Sequence, residues 1–119
     1  MAGRLDLIIE KGSTFTRVFT WQTRDQETGA LIPVDLSGYT ARSMFRETHD
    51  SPQAFFDLST ENGGILIDSF AGKITLKIEA TQSTNVIYDS GVWDLELYQG
   101  TNVTRLIEGR VKLTPEVTR

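Results

Sequence analysis

The sequence predicts an all-β domain, an antiparallel two-sheet β-sandwich of Ig-like outline with about seven or eight strands. Three observations predict it. Apolar and polar residues alternate with period two in successive short runs, the pattern of strands that bury one face. Clusters of Gly, Pro, Asn and Asp punctuate those runs at hairpin-like spacing. No segment carries a helical period long enough to cover a sheet, and Glu79 to Val86 supports at most one short helical turn. A closed barrel of the same strands is the second architecture, because strand count alone does not separate the two.

The chain closes on two long strands joined by a tight turn, Ser90 to Arg119, and the upstream strands add to this terminal hairpin. At the other terminus, Arg4 to Glu10 alternates weakly and reads as a first strand, either at the edge of its own sheet or as an arm, residues 1–10, that docks on a neighbour. Gly12 and Ser13 break it. Thr14 to Gln22 then places Phe15, Arg17, Phe19 and Trp21 on one face, and the bulk of Phe19 and Trp21 sends that face inward with Arg17 at its rim. Thr23 to Leu31 is an exposed hairpin-type loop, and Pro33 beyond it suits an edge. Asp35-Leu36-Ser37-Gly38 is a turn from which Leu36 plugs the core. Thr40 to Glu47 and Ala54 to Leu58 are extended, separated by the turn signal Asp50-Ser51-Pro52. Ile65 to Asp68 and Lys73 to Glu79 form a compact hairpin, with Ile74, Leu76 and Ile78 on one face. In the terminal hairpin Trp93, Leu95 and Leu97 face in, Asp94, Glu96 and Tyr98 face out, Gln99 to Asn102 turns, and Val103 to Leu113 returns.

Bulk properties bound the function. At 119 residues the chain is one domain, residues 1–119, with material for one core. A net charge of −4, with basic residues scattered, argues against nucleic acid, whose phosphates demand clustered Lys and Arg. The chain has no cysteine, so thiolate chemistry and disulfides are excluded. The apolar run near the N-terminus is too short for a signal or a membrane span, so a cytoplasmic place of synthesis with no membrane partner is expected. Asn102-Val103-Thr104 matches a glycosylation sequon, and without a secretory signal it reads as chance.

Nothing in the sequence announces a reaction. His49, the single imidazole, lies in a polar turn beside Asp50, without a nucleophile elbow. Asp94 and Glu96 share a strand face at a spacing that a glycosidase pair would tolerate, but the alternation with Trp93, Leu95 and Leu97 already accounts for them as a solvated face. The oxygen-rich loops at Asp25 with Glu27, Asp35 with Ser37, and Asp57 with Glu61 lack the ligand spacing of a calcium loop, and Gly63-Gly64 leads into a strand rather than a helix. Trp21 and Trp93 fit a core better than a sugar platform. The expectation is therefore no catalytic residue, no cofactor and no metal.

The segments GSTFTRVFTW, IPVDLSGYTARSMFR, GKITLKIEATQST and GVWDLELYQGTNVTRLIEGRVKLTPEVTR, in this order, resemble small β-sandwich structural proteins of tailed bacteriophages. They are also similar to the sandwich at the N-terminus of upper baseplate proteins. The resemblance covers Lys11 to Arg119, and its most distinctive parts are Asp35-Leu36-Ser37-Gly38 and the terminal hairpin. It implies a non-enzymatic virion protein of the tail, baseplate or fibre attachment, joined to other virion proteins and forming a homo-oligomer or ring. A capsid decoration protein of the same fold and a glycan-binding sandwich are the alternatives. The candidate partner contacts are Tyr98, Thr101 and Asn102 at the terminal turn, Tyr39 beside the upstream turn, and Leu7 and Ile9 on the N-terminal segment; the tail from Thr114 to Arg119 joins the terminal turn as a surface to test.

Overall fold

The computed structural model describes residues 3–115. Its elements in chain order are β1 (Gly3–Arg4), β2 (Leu7–Glu10), β3 (Phe15–Thr20), β4 (Gln22–Arg24), β5 (Leu31–Pro33), β6 (Thr40–Arg46), β7 (Phe56–Ser59), β8 (Ile65–Asp68), β9 (Lys73–Ile78), α1 (Ala80–Thr84), β10 (Ser90–Gln99) and β11 (Asn102–Thr114). The domain is all-β, with one short helix among the described residues.

The strands form three sheets. The largest has six strands in the order β1-β11-β10-β6-β7, with β2 also on β11; a second runs β3-β9-β8; β4 and β5 make a separate ribbon. Among the described residues eleven strands stand where about seven or eight were expected from turn spacing. Two breaks account for most of the excess: the first predicted strand is interrupted at Leu5-Asp6, and the second at Trp21, where the chain leaves β9 to enter the ribbon. A wholly antiparallel arrangement is also corrected, since β1 and β2 both run parallel to β11, with Gly3 beside Ile107 and Leu7 beside Val111.

One core joins the six-stranded and three-stranded sheets. Trp93 is 2% exposed and stacks on Phe19 of β3 at 5.7 Å and on Phe45 of β6 at 5.8 Å. Ile74, Leu76 and Ile78 of β9 share this cluster with Leu95 and Leu97 of β10, and Leu36 plugs it from its turn as the sequence predicts. Burial of this alternating set is the main stabilising term, at about 1.5–3 kcal/mol for each large side chain. The buried hydroxyls are satisfied: Ser43 donates to the Asp94 carbonyl at 2.6 Å, and Ser83 donates to the Ala80 carbonyl while accepting the Gly12 N–H at 2.9 Å. That last bond ties α1 to the turn leaving β2. Of the face predicted inward on β3, Phe19 is buried and Phe15 and Trp21 are half-buried, while Arg17 is exposed.

Gly109 decides how the N-terminus docks. It lies opposite Trp93 on the inward face, and a Cβ built there would sit 1.9 Å from the Leu5 carbonyl oxygen. The absent side chain lets the Leu5 backbone close over Gly109 as it runs alongside β11, where its carbonyl accepts the Trp93 Nε1–H at 2.9 Å and its N–H donates to the Glu108 carbonyl at 3.0 Å. Asp6 Oδ1 then accepts the Arg110 N–H at 2.9 Å, and β2 resumes beyond it. From Gly3 to Glu10 the N-terminal segment therefore pairs with β11 of its own chain.

A β-bulge lies in β11, where Leu95 pairs with Ile107 but Glu96 pairs with Arg105. The extra residue, Leu106, shifts the phase of the strand. Arg105 and Glu108 thereby come to the outward face beside Glu96 and Asp94.

Candidate functional site

Two surfaces collect the residues singled out by sequence. The first is the outward face of the six-stranded sheet, where pairing sets Glu108, Asp94 and Met44 in one row and Arg105, Glu96 and Arg42 in the next. Arg105 lies among three carboxylates, 3.8 Å from Asp94, 3.5 Å from Glu96 and 3.9 Å from Glu108. The other oxygen of Glu96 accepts the Tyr98 hydroxyl at 2.9 Å. Partial burial, and then the neighbouring Glu96, raise the Asp94 pKa above the usual aspartate value, against the pull of Arg105. Burial and the bond to Glu96 raise that of Tyr98. Farther along, Arg42 grips Asp57 through two nitrogens, at 3.1 and 2.8 Å, and holds that carboxyl below its ordinary value.

A shallow depression of about 230 Å³ opens on this face, lined by Arg46, His49, Asp94, Glu96 and Arg105 among others. His49 is exposed there, without a hydrogen bond among the described residues. With a guanidinium beside both Asp94 and Glu96, the pair is arranged as an ion-paired lattice of charges on a sheet. No three His, Asp or Glu side chains of the described residues converge in a geometry suited to a metal ion.

The second surface is the end of the molecule where the turns meet. Tyr98, Thr101 and Asn102 lie at the β10–β11 turn, and the Asp35–Gly38 turn is its neighbour, the Cβ direction of Gly38 pointing to the Gln99 amide 3.8 Å away. Ser37 donates to Asp35 through both its N–H and its hydroxyl, which fixes this turn and lowers the Asp35 pKa. Tyr39 emerges from it half-buried, edge-on to Trp21 at 6.2 Å. Four of the six candidate contacts thus come together.

Leu7 and Ile9 do not join them. They are 3% and 0% exposed, the core-facing residues of β2, because period two turns Ile8 outward and sends its neighbours in. The part of the proposed C-terminal tail beyond Pro115 lies outside the described residues.

At the same end the structure adds residues that sequence reasoning passed over. Phe70, at the tip of the β8–β9 turn, is 82% exposed, and Leu31 and Ile32 of the ribbon and Val103 of β11 are also exposed. The Phe70 turn is anchored beside the ribbon's base: Ser69 and Gly72 carbonyls accept the Leu36 and Trp21 N–H groups. Gly72 is wedged there with φ +64° and its Cβ direction 2.6 Å from the Trp21 carbonyl, so a side chain has no room. The available signal was Phe70 itself, an aromatic where a turn calls for polar residues. The tryptophans form no open platform, Trp93 being core and Trp21 packed against Tyr39.

No family model matches the chain, and no curated protein is significantly similar to it.

Proposed function

We propose that the chain is a non-catalytic building block of a tailed-bacteriophage particle, a tail, baseplate or fibre-attachment adaptor that works by protein–protein contact. The particle is what the resemblance of the four sequence segments implies; the observation that supports work by protein–protein contact is the turn end. Leu31, Ile32, Phe70 and Val103 remain exposed there beside Tyr98, Thr101 and Asn102, on turns fixed by their own hydrogen bonds. Exposed apolar side chains grouped with polar turn residues fit an interface of apolar centre and polar rim. The elongated body suits an adaptor: its extents are 53 × 29 × 24 Å, and its radius of gyration of 15.3 Å exceeds the roughly 13.5 Å of a compact chain this long. The finer fold reading, an Ig-like two-sheet sandwich carrying the ribbon as an appendage, belongs to the same proposal and is supported by the single core between the two larger sheets.

Antibody labelling of purified particles tests it. Label confined to the tail end is the expected result; label spread over the head favours the decoration role, and absence from the particle refutes both. The contact surface is tested by Phe70→Asp, which should abolish incorporation while leaving the fold intact.

A further inference from the structure

We propose that two copies of this chain join edge to edge through β3, antiparallel, about a twofold axis at Val18. The inference stands apart from the particle reading and holds or fails on the purified chain.

The sheets leave several strand edges open, and most are blunted. β7 has four residues and carries Asp57, clamped by Arg42. β8 has four and ends in Asp68; β2 has four and ends in Glu10; the ribbon strand β5 contains Pro33, which has no N–H to offer. These are the devices by which sheets avoid pairing with other chains. β3 lacks them. It has six residues, Phe15–Thr20, without Pro, Gly or an acidic side chain, and its one strand neighbour is β9. Its outward residues are Thr16, Val18 and Thr20, all β-branched and all exposed, Val18 by 51%. The unpaired N–H and C=O groups of such an edge call for another extended backbone.

The pairing rules select the partner's register. In an antiparallel pair, residues directly opposite share a face, so a twofold axis between identical strands must pass through a residue. Centred on Arg17, two guanidinium groups would face each other, which destabilises. Centred on Val18, Val18 meets Val18, each Thr16 meets a Thr20, and Arg17 lies beside Phe19 of the other copy. Arg17 has no ion-pair partner among the described residues, so nothing need be broken. The result is one six-stranded sheet, β8-β9-β3 continued by its copy. A single strand junction buries less than the roughly 800 Å² per partner of a standard interface, so the dimer should be concentration-dependent.

The natural absence of cysteine makes the test direct. Val18→Cys places the thiols of two copies on the axis, within disulfide reach. On mild oxidation it should cross-link at least about tenfold faster than Leu66→Cys, which is exposed on the outward face of β8. In sedimentation equilibrium the wild-type chain should show a monomer–dimer equilibrium that Val18→Lys weakens about tenfold or more and Leu66→Lys leaves unchanged. Circular dichroism checks that the variants fold. Equal cross-linking of the two cysteine variants, or a wild-type chain that stays monomeric at millimolar concentration, would overturn the proposal.

Discussion

Replacing Gly109 by Ala tests the docking of the N-terminal segment, because the added methyl has nowhere to go. Its position is 1.9 Å from the Leu5 carbonyl oxygen and 2.7 Å from the carbonyl carbon, both backbone atoms of the link between β1 and β2, which are held on either side of it. Either β11 or the Leu5-Asp6 backbone beside it must move. Moving Leu5 strips the Trp93 indole of its acceptor, and a buried donor left unpaired costs about 1–3 kcal/mol. It also strains the bonds from Leu5 to Glu108 and from Arg110 to Asp6. If β2 detaches altogether, Leu7 and Ile9 leave the core at about 1.5–3 kcal/mol each. The expected loss runs from about 3 kcal/mol for a local shift to about 6 kcal/mol or more for detachment, equivalent to a drop in Tm of roughly 10 °C or greater. Urea denaturation followed by tryptophan fluorescence measures it, and hydrogen exchange at Leu7 to Glu10 separates the two limits. Gly3→Ala is the control: its Cβ meets only the Leu106 carbonyl, at an ordinary 3.5 Å, and stability should stay within about 0.5 kcal/mol. A Gly109→Ala protein as stable as wild type would refute the account of Gly109 as the point where the Leu5 backbone closes on β11.

Three further outcomes follow from the geometry. Asp94→Asn should be at least as stable as wild type at neutral pH, because the raised pKa means that ionising Asp94 costs folding energy; the advantage should fade as pH falls through the raised native value and be gone below the unfolded aspartate value of about 3.9, and urea midpoints measured across pH follow it. Ser83→Ala should cost about 1–3 kcal/mol by leaving the Gly12 N–H without its acceptor, seen as a lower unfolding midpoint with faster exchange at Gly12. Phe70→Ser should leave the thermal midpoint unchanged, since so exposed a ring contributes little to the core; a loss above about 1 kcal/mol would mean that the ring is part of the fold rather than free for a partner.

The parts of the fold legible in sequence are those where one face is dry and the other wet. Trp93, Leu95 and Leu97, and likewise Ile74, Leu76 and Ile78, write their burial as strict alternation, and Leu36 stands out as an apolar residue inside a turn. The N-terminal segment was harder to read because Ile8 is exposed between two buried residues, so Leu7-Ile8-Ile9 shows no polar partner to reveal the period. Its parallel pairing depends on Gly109, about a hundred residues away, and on a hydrogen bond from Trp93, neither of which leaves a local trace. The ribbon strands, three residues each, are shorter than any period can mark. The exposure of Thr101 and Asn102 was readable because turn residues fall on the surface. Phe70 and Leu31 belong to the same end only through bonds between distant turns.

The way apolar exposure is distributed then separates the modes of association. The outward face of the six-stranded sheet is occupied by Arg42 with Asp57 and by Arg105 with its carboxylates, so a partner there would have to desolvate paired charges for little return. The outward face of the three-stranded sheet is different: Val18, Thr75 and Leu66 form one row across it, with no charge in the row. A strand added at β3 lengthens that row by one apolar residue of the other copy, whereas a strand added at β7 would meet Asp57. Lateral growth is therefore favoured on one sheet alone. The turn end, with Phe70 and the ribbon, lies at the ends of the strands rather than along their edges, so a partner seated there leaves β3 accessible. The two proposed contacts would use different faces and break separately: Val18→Lys should dissociate copies without affecting capture by a partner at the turn end, and Phe70→Asp should do the reverse. A variant at either position that disrupted both would show that the two surfaces are one.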